Sequence, residues 1–151
     1  MRTDGLVVPS SDAFKLPHSV YTMRLPLRSD GVYFSGRPFA NLSSKEFIRI
    51  LPEGRAIWGL TDVNGQMRTV DVNYLATCGR YYSPDGESVL FEWFSADRNA
   101  RRFVFWDCIL RDNEIRVVNS YWRDAPTTVT GSKGTTWYFT HMNLPPIVSD
   151  W

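Results

Sequence analysis

Short runs of β-branched and aromatic residues, each closed by a turn signal, recur along this chain, and no helical period of useful length competes with them. That pattern predicts an antiparallel meander, all-β, with strands over residues 31–36, 46–51, 55–61, 79–83, 88–95, 102–110, 115–123 and 135–142. The turns between them fall at Glu53-Gly54, Asp85-Gly86, a loop near Arg98-Asn99, and Asp112-Asn113, pairs that suit the positive φ values of tight hairpins. So many short antiparallel strands must close into a barrel or pack as two sheets, because open edges invite aggregation. Connections this short favour an up-and-down β-barrel of about eight strands.

Three segments break the pattern. Residues 1–29, with Pro9, Pro17 and Pro26, read as an extended N-terminal arm, leaving 30–151 as a single barrel domain. Residues 70–78 read as a helical turn able to form a short lid, and 124–134 as a polar loop.

Hairpin register assigns side chains to faces. If Asp112-Asn113 is a two-residue loop, Val104, Trp106, Cys108, Leu110, Ile115, Val117, Asn119 and Tyr121 share one face. Phe103, Phe105, Asp107, Ile109, Arg116, Val118, Ser120 and Trp122 share the other. Only the second carries charge, so the first is expected inside. A turn at Arg98-Asn99 adds Val89, Phe91 and Trp93 to the interior and Glu92 to the outside; a two-residue turn at Asp85-Gly86 adds Tyr82 and Arg80 to the interior. The hairpin at Glu53-Gly54 leaves its inner face undecided: Arg49 argues for Ile48, Ile50 and Ile57 inside, the bulk of Phe47 and Trp58 for the opposite face. Asp107 and Arg116 are expected to form an outer ion pair.

Seventeen basic against 16 acidic residues leave a net charge of +1, which gives no field to recruit a nucleic acid. The basic cluster of residues 98–102 reads as a solvated loop. His18 and His141 are too few for a multi-histidine metal site, and Cys78 and Cys108 are too far apart for a CxxC pair, so no metal and no cofactor is expected. Buried thiols are favoured over a disulfide. There is no transmembrane-length apolar run and no signal sequence as the chain is written, which leaves the location open: cytoplasmic as written, periplasmic or secreted if a leader has been removed.

"LRSDGVYFSG" at 27–36, "FIRILPEGRAIWG" at 47–59, "GRYYSPDGESVLFEWF" at 79–94, "DNEIRVVNSY" at 112–121 and "TTWYFTHM" at 135–142 follow one another in an order that resembles a small bacterial lipocalin-like (calycin) barrel. Lipocalins carry G-x-W in the first strand, whose Trp plugs the closed end; here the triplet is Gly31-Val32-Tyr33, with Tyr33 in the plug position. The resemblance implies a cavity for a small apolar molecule.

Tyr82, Phe91, Trp93, Trp106, Asn119 and Tyr121 are therefore the candidate ligand-binding residues: aromatic area to bury, with a few polar groups to orient. A small hydrophobic or aromatic molecule is the expected partner. Small barrels are also often filled by their own side chains. In that case the chain works through its outer aromatic face, as a homodimer or partner-binding module using Phe103, Phe105 and Trp122. A barrel enzyme, an isomerase, cyclase or lyase, would need His141 or Tyr121 as acid or base. No nucleophile or paired-carboxylate set stands beside them, and "TGSKGTT" at 130–136 lacks the spacing of a phosphate loop.

Overall fold

A computed structural model describes residues 9, 11–16, 27–38, 45–60, 77–97, 100–128 and 137–143. It forms strands β1 (Val32–Pro38), β2 (Lys45–Ile50), β3 (Arg55–Leu60), β4 (Thr77–Tyr82), β5 (Ser88–Asp97), β6 (Ala100–Arg111), β7 (Glu114–Trp122), β8 (Ala125–Thr128) and β9 (Tyr138–Met142). Each of β1 to β7 pairs antiparallel with the next, and β9 pairs with both β7 and β1. The result is a closed eight-strand up-and-down barrel, the architecture expected from the sequence. The short β8 lies outside the ring, pairing with the far end of β7, so part of the expected 124–134 loop is a strand. The expected helical turn at 70–78 lies outside the described residues except for its last two, which belong to β4.

Strand direction gives the barrel two ends. At one, the connections are short, through residues 51–54, 83–87 and 112–113, and the chain enters β1. At the other, β1, β3, β5 and β7 end and β2, β4, β6 and β9 begin. The short-turn end is closed. Tyr33 is fully buried there and its hydroxyl accepts a hydrogen bond from the Arg28 N–H at 2.9 Å, while Leu27 packs on the core below. Gly31, at φ 65°, makes this entry: a Cβ on it would stand 2.3 Å from the Met142 carbonyl oxygen, a contact only glycine avoids.

The interior is one aromatic cluster. Trp106 sits at its centre, with ring centroids 4.7 Å from Trp137, 5.4 Å from Trp93, 6.0 Å from Phe139, 6.3 Å from Trp58 and 6.5 Å from Phe91. Aromatic pairs at such edge-on and offset geometries each contribute about 0.5–1.5 kcal/mol beyond burial of their area. Ile48, Ile50, Val89, Cys108, Leu110, Ile115 and Val117 complete the wall. Cys78 and Cys108 are free and buried, Cys78 outside the barrel wall and Cys108 inside it.

The registers of β5 with β6, and of the near half of β7 with β6, are those expected, from Trp93 opposite Val104 to Arg111 opposite Glu114. Elsewhere three local features shift the pairing by one residue, and since side chains alternate with period 2, each shift turns a whole stretch over. The β2–β3 loop has three residues, Pro52 to Gly54, because Leu51 N–H bonds to Arg55 C=O; Ile48 then pairs with Trp58 and Ile50 with Ala56, all facing in. The β4–β5 connection, residues 83–87, likewise has an odd number of residues, so Tyr81 pairs with Phe91 and faces in, while Tyr82 pairs with Leu90 and Arg80 with Glu92 on the outside. In β7 a bulge at Val118 makes Cys108 pair with Val117 but Asp107 with Asn119. Ser120 and Trp122 consequently turn to the side of Trp106 and Val104, and Asn119 and Tyr121 turn outward.

Candidate functional site

Phe91, Trp93 and Trp106 face the barrel interior. Tyr82, Asn119 and Tyr121 do not, because the odd-length β4–β5 connection and the β7 bulge put them on the outer wall. Tyr121 stacks at 5.6 Å on Phe105. Burial, then the Asp107 charge and hydrogen bond, push its hydroxyl up, which keeps it protonated.

Interior groups that sequence reasoning did not nominate are Glu46, Trp58, Ser120 and Trp137. Glu46 alternates with Ile48 and Ile50 along β2 and is buried on their face. Its Oε2 accepts a hydrogen bond from Trp137 Nε1 at 3.0 Å. A buried carboxylate is costly unless it is hydrogen-bonded, and the indole supplies that bond. Trp137 is held in place because Val117 N–H donates to its carbonyl at 2.9 Å. Ser120, brought inside by the bulge, pairs with Trp106 and is buried.

Trp93 follows Val89 and Phe91 along the interior face of β5. It is 1% exposed and its ring lies flat against Phe91, 5.0 Å between centroids and 5° between planes. The ring is seated on Gly79, where a Cβ would stand 2.3 Å from Trp93 Cε3. Its Nε1–H finds no acceptor among the described residues. By contrast, Tyr81 donates to the Leu51 carbonyl at 3.2 Å, Tyr33 accepts from Arg28, and Trp137 donates to Glu46. An indole N–H stranded in the interior forfeits about 1–3 kcal/mol relative to one that is satisfied.

By register, Trp93 and Val104 stand beyond Phe91 and Trp106 on the way to the end opposite the closed one, where Glu46 lies near the start of β2 and Trp137 just precedes β9. The closed end is packed with Tyr33, Ile50, Leu110 and Ile115.

The two acid–base nominees are far from forming a pair. His141 lies at the closed end beside Tyr33, ring centroids 5.4 Å apart, with Nε2 2.6 Å from the Asp30 carbonyl oxygen, so that nitrogen donates its proton. Tyr121 is on the outer wall of β7. Among the described residues no group of three or more His, Cys, Asp or Glu side chains is placed to hold a metal ion.

The expected outer face is also rearranged. Phe103 is covered by Phe14 and by the Arg123 guanidinium, Phe105 is half-buried outside, and Trp122 turns inward, so the three do not form one exposed surface. Arg116 pairs with Glu114 at 2.9 Å, two residues away on the same strand face, in place of the expected Asp107. No helix among the described residues is long and apolar enough to cross a membrane. No family model, curated protein or solved structure matches the chain.

Proposed function

We propose that this chain is a lipocalin-like barrel that binds a small hydrophobic or aromatic molecule carrying a hydrogen-bond acceptor, seated at the Trp93 end of the interior. The observation that carries the reading is the buried Trp93 Nε1–H, which has no acceptor among the described residues, whereas Tyr33, Tyr81 and Trp137 each make a hydrogen bond. A buried donor without an acceptor is rare in folded proteins and is retained where a ligand or ordered solvent completes it. Phe91, Trp93 and Trp106 supply flat apolar surface, and Trp58 and Trp137 flank Trp106. The closed eight-strand ring and the position of Tyr33 at the short-turn end support the likeness to lipocalins.

The test is a titration of intrinsic fluorescence with an aryl ketone and with the hydrocarbon of the same shape. The ketone is expected to bind saturably and about 10-fold tighter, the worth of one hydrogen bond. Trp93→Phe keeps the stacked ring and removes the donor, so both probes should then bind alike. Absence of saturable binding by either probe would sink the proposal, as would an unchanged ketone preference in Trp93→Phe.

A second reading, a filled barrel acting through its surface, is favoured by the exposed Ile109, Val118, Tyr138 and Met142 on the outside of β6, β7 and β9. It predicts that neither probe binds and that Trp93→Phe leaves stability unchanged or raised, since an unsatisfied donor has been removed.

A further inference from the structure

The outer side of β4, β5 and β6 is not bare: residues 11–16 lie across it. Phe14 is buried there, edge-on to Phe103 with centroids 5.3 Å apart, in a cluster with Cys78 and Phe94. The Arg80 guanidinium stands 5.0 Å from the Phe14 ring centroid. Glu92, fully buried on β5, accepts hydrogen bonds at Oε1 from the backbone N–H groups of Lys15 at 2.7 Å and Leu16 at 2.9 Å. Arg123 completes the clamp: its Nη1 donates to Glu92 Oε2 at 2.7 Å and to the Ala13 carbonyl at 2.8 Å, and its guanidinium lies 3.8 Å above the Phe103 ring.

These three hydrogen bonds from clamp to strap all go to the strap's main chain, and the side chain held is one aromatic ring. The strap is bent, not extended: Ser11–Ala13 form a 3-10 turn and two successive amides converge on one carboxylate oxygen, a pattern that another segment with the same bend and a suitably placed aromatic residue can satisfy. The site also needs an occupant. With the strap lifted, Glu92 would keep its place beside Arg123 but lose both donors to Oε1, while Phe94, Phe103 and Cys78 would be uncovered.

We propose that this clamp is a peptide-recognition site, filled in cis by residues 11–16 and open to exchange for a segment of a partner protein that makes the same bend. The segment it fits carries an aromatic residue followed by two residues with free backbone N–H groups, that is, neither of them proline. The tethered strap competes at an effective concentration of about the millimolar order, so a partner must exceed that advantage or the strap must be loosened.

The probe is a fluorescein-labelled, end-capped peptide of residues 9–18, titrated by anisotropy against full-length protein. Phe14→Ala and Lys15→Pro each loosen the strap from the strap side, and neither alters the clamp; Lys15→Pro removes one of the two amide donors to Glu92. Both variants are expected to bind the peptide at least about 10-fold tighter than the wild type does. A peptide carrying the same Phe14→Ala or Lys15→Pro change should fail to saturate, and Glu92→Gln in the Phe14→Ala chain should weaken binding at least about 10-fold. The proposal is overturned if the folded variants gain no affinity, or if the altered peptides bind as well as the native one. Loss of the folded state in both variants would overturn it too, because the strap would then be an integral part of the barrel and not an exchangeable occupant.

Discussion

Replacing Gly79 by alanine tests the packing on which the candidate site depends. A Cβ at this position would lie 2.3 Å from Trp93 Cε3 and 2.8 Å from Cζ3, about 1 Å short of ordinary van der Waals contact, and 2.7 Å from the Glu92 carbonyl oxygen. The ring cannot simply slide away. It is stacked on Phe91 at 5.0 Å on one side and meets Trp106 at 5.4 Å on another, and the oxygen belongs to the neighbouring strand's backbone. Overpacking of this kind costs about 1–3 kcal/mol. Reducing the freedom of the unfolded chain returns about 0.4–1 kcal/mol, so Gly79→Ala should destabilise by roughly 1–2 kcal/mol. Urea unfolding followed by Trp fluorescence measures it. A double-mutant cycle with Trp93→Leu identifies the cause: with the indole gone most of the clash is gone, and the two changes should couple by about 1 kcal/mol. A Gly79→Ala protein as stable as the wild type, or a cost that persists in full in the Trp93→Leu background, would refute the reasoning.

Two further outcomes follow from the buried titratable groups. Burial pushes the Tyr81 hydroxyl up to about 12 and so favours its neutral form in the folded state. A folded value above the unfolded one gives stability that is complete below about pH 10 and is lost as pH rises through about 12. The thermal midpoint of the wild type should therefore fall more steeply than that of Tyr81→Phe between those limits, and parallel curves would count against the effect. Burial likewise pushes the Cys78 thiol up to about 12 and Cys108 higher than its ordinary value, so neither is a thiolate at about pH 8. Both should resist alkylation by iodoacetamide in the native protein and react in urea, as read by intact mass.

The strand count and the barrel were legible because alternation and turn signals repeat over most of the chain. Faces were legible only as far as the loops had an even number of residues. Asp97 pairs with Ala100 and Arg111 with Glu114, so β5, β6 and the start of β7 were assigned correctly, and with them Phe91, Trp93 and Trp106. At Pro52 and Pro84 the available signal was the proline itself: lacking an N–H, each belongs to the loop and argues for a connection longer than two residues. The Val118 bulge left no such mark. Val118 and Asn119 carry none of the glycine signature of a bulge, so the reversal that sent Asn119 and Tyr121 outward could not be read from β7 alone.

The rule that charge marks the outer face is the other place where sequence and structure diverge, and it fails for a definite reason. Along β2, Glu46 faces in and Arg49 faces out, so charge by itself could not choose between the faces. Phe47 and Ile57 are buried on the outer side as well, which is why both faces of this hairpin read as apolar. The rule assumes that a charged side chain needs water; what it needs is a hydrogen-bonding partner, and the fold supplies one from far along the chain. Glu46 receives the indole of Trp137, 91 residues away, and Glu92 receives Arg123 together with two amides of the N-terminal strap. Both carboxylates are buried, one inside the barrel beside the closing strand β9 and one on its wall beneath the N-terminal strap. One satisfied buried carboxylate therefore anchors Trp137 beside the strand that closes the barrel, and the other fixes the N-terminal strap, which alternation could not place.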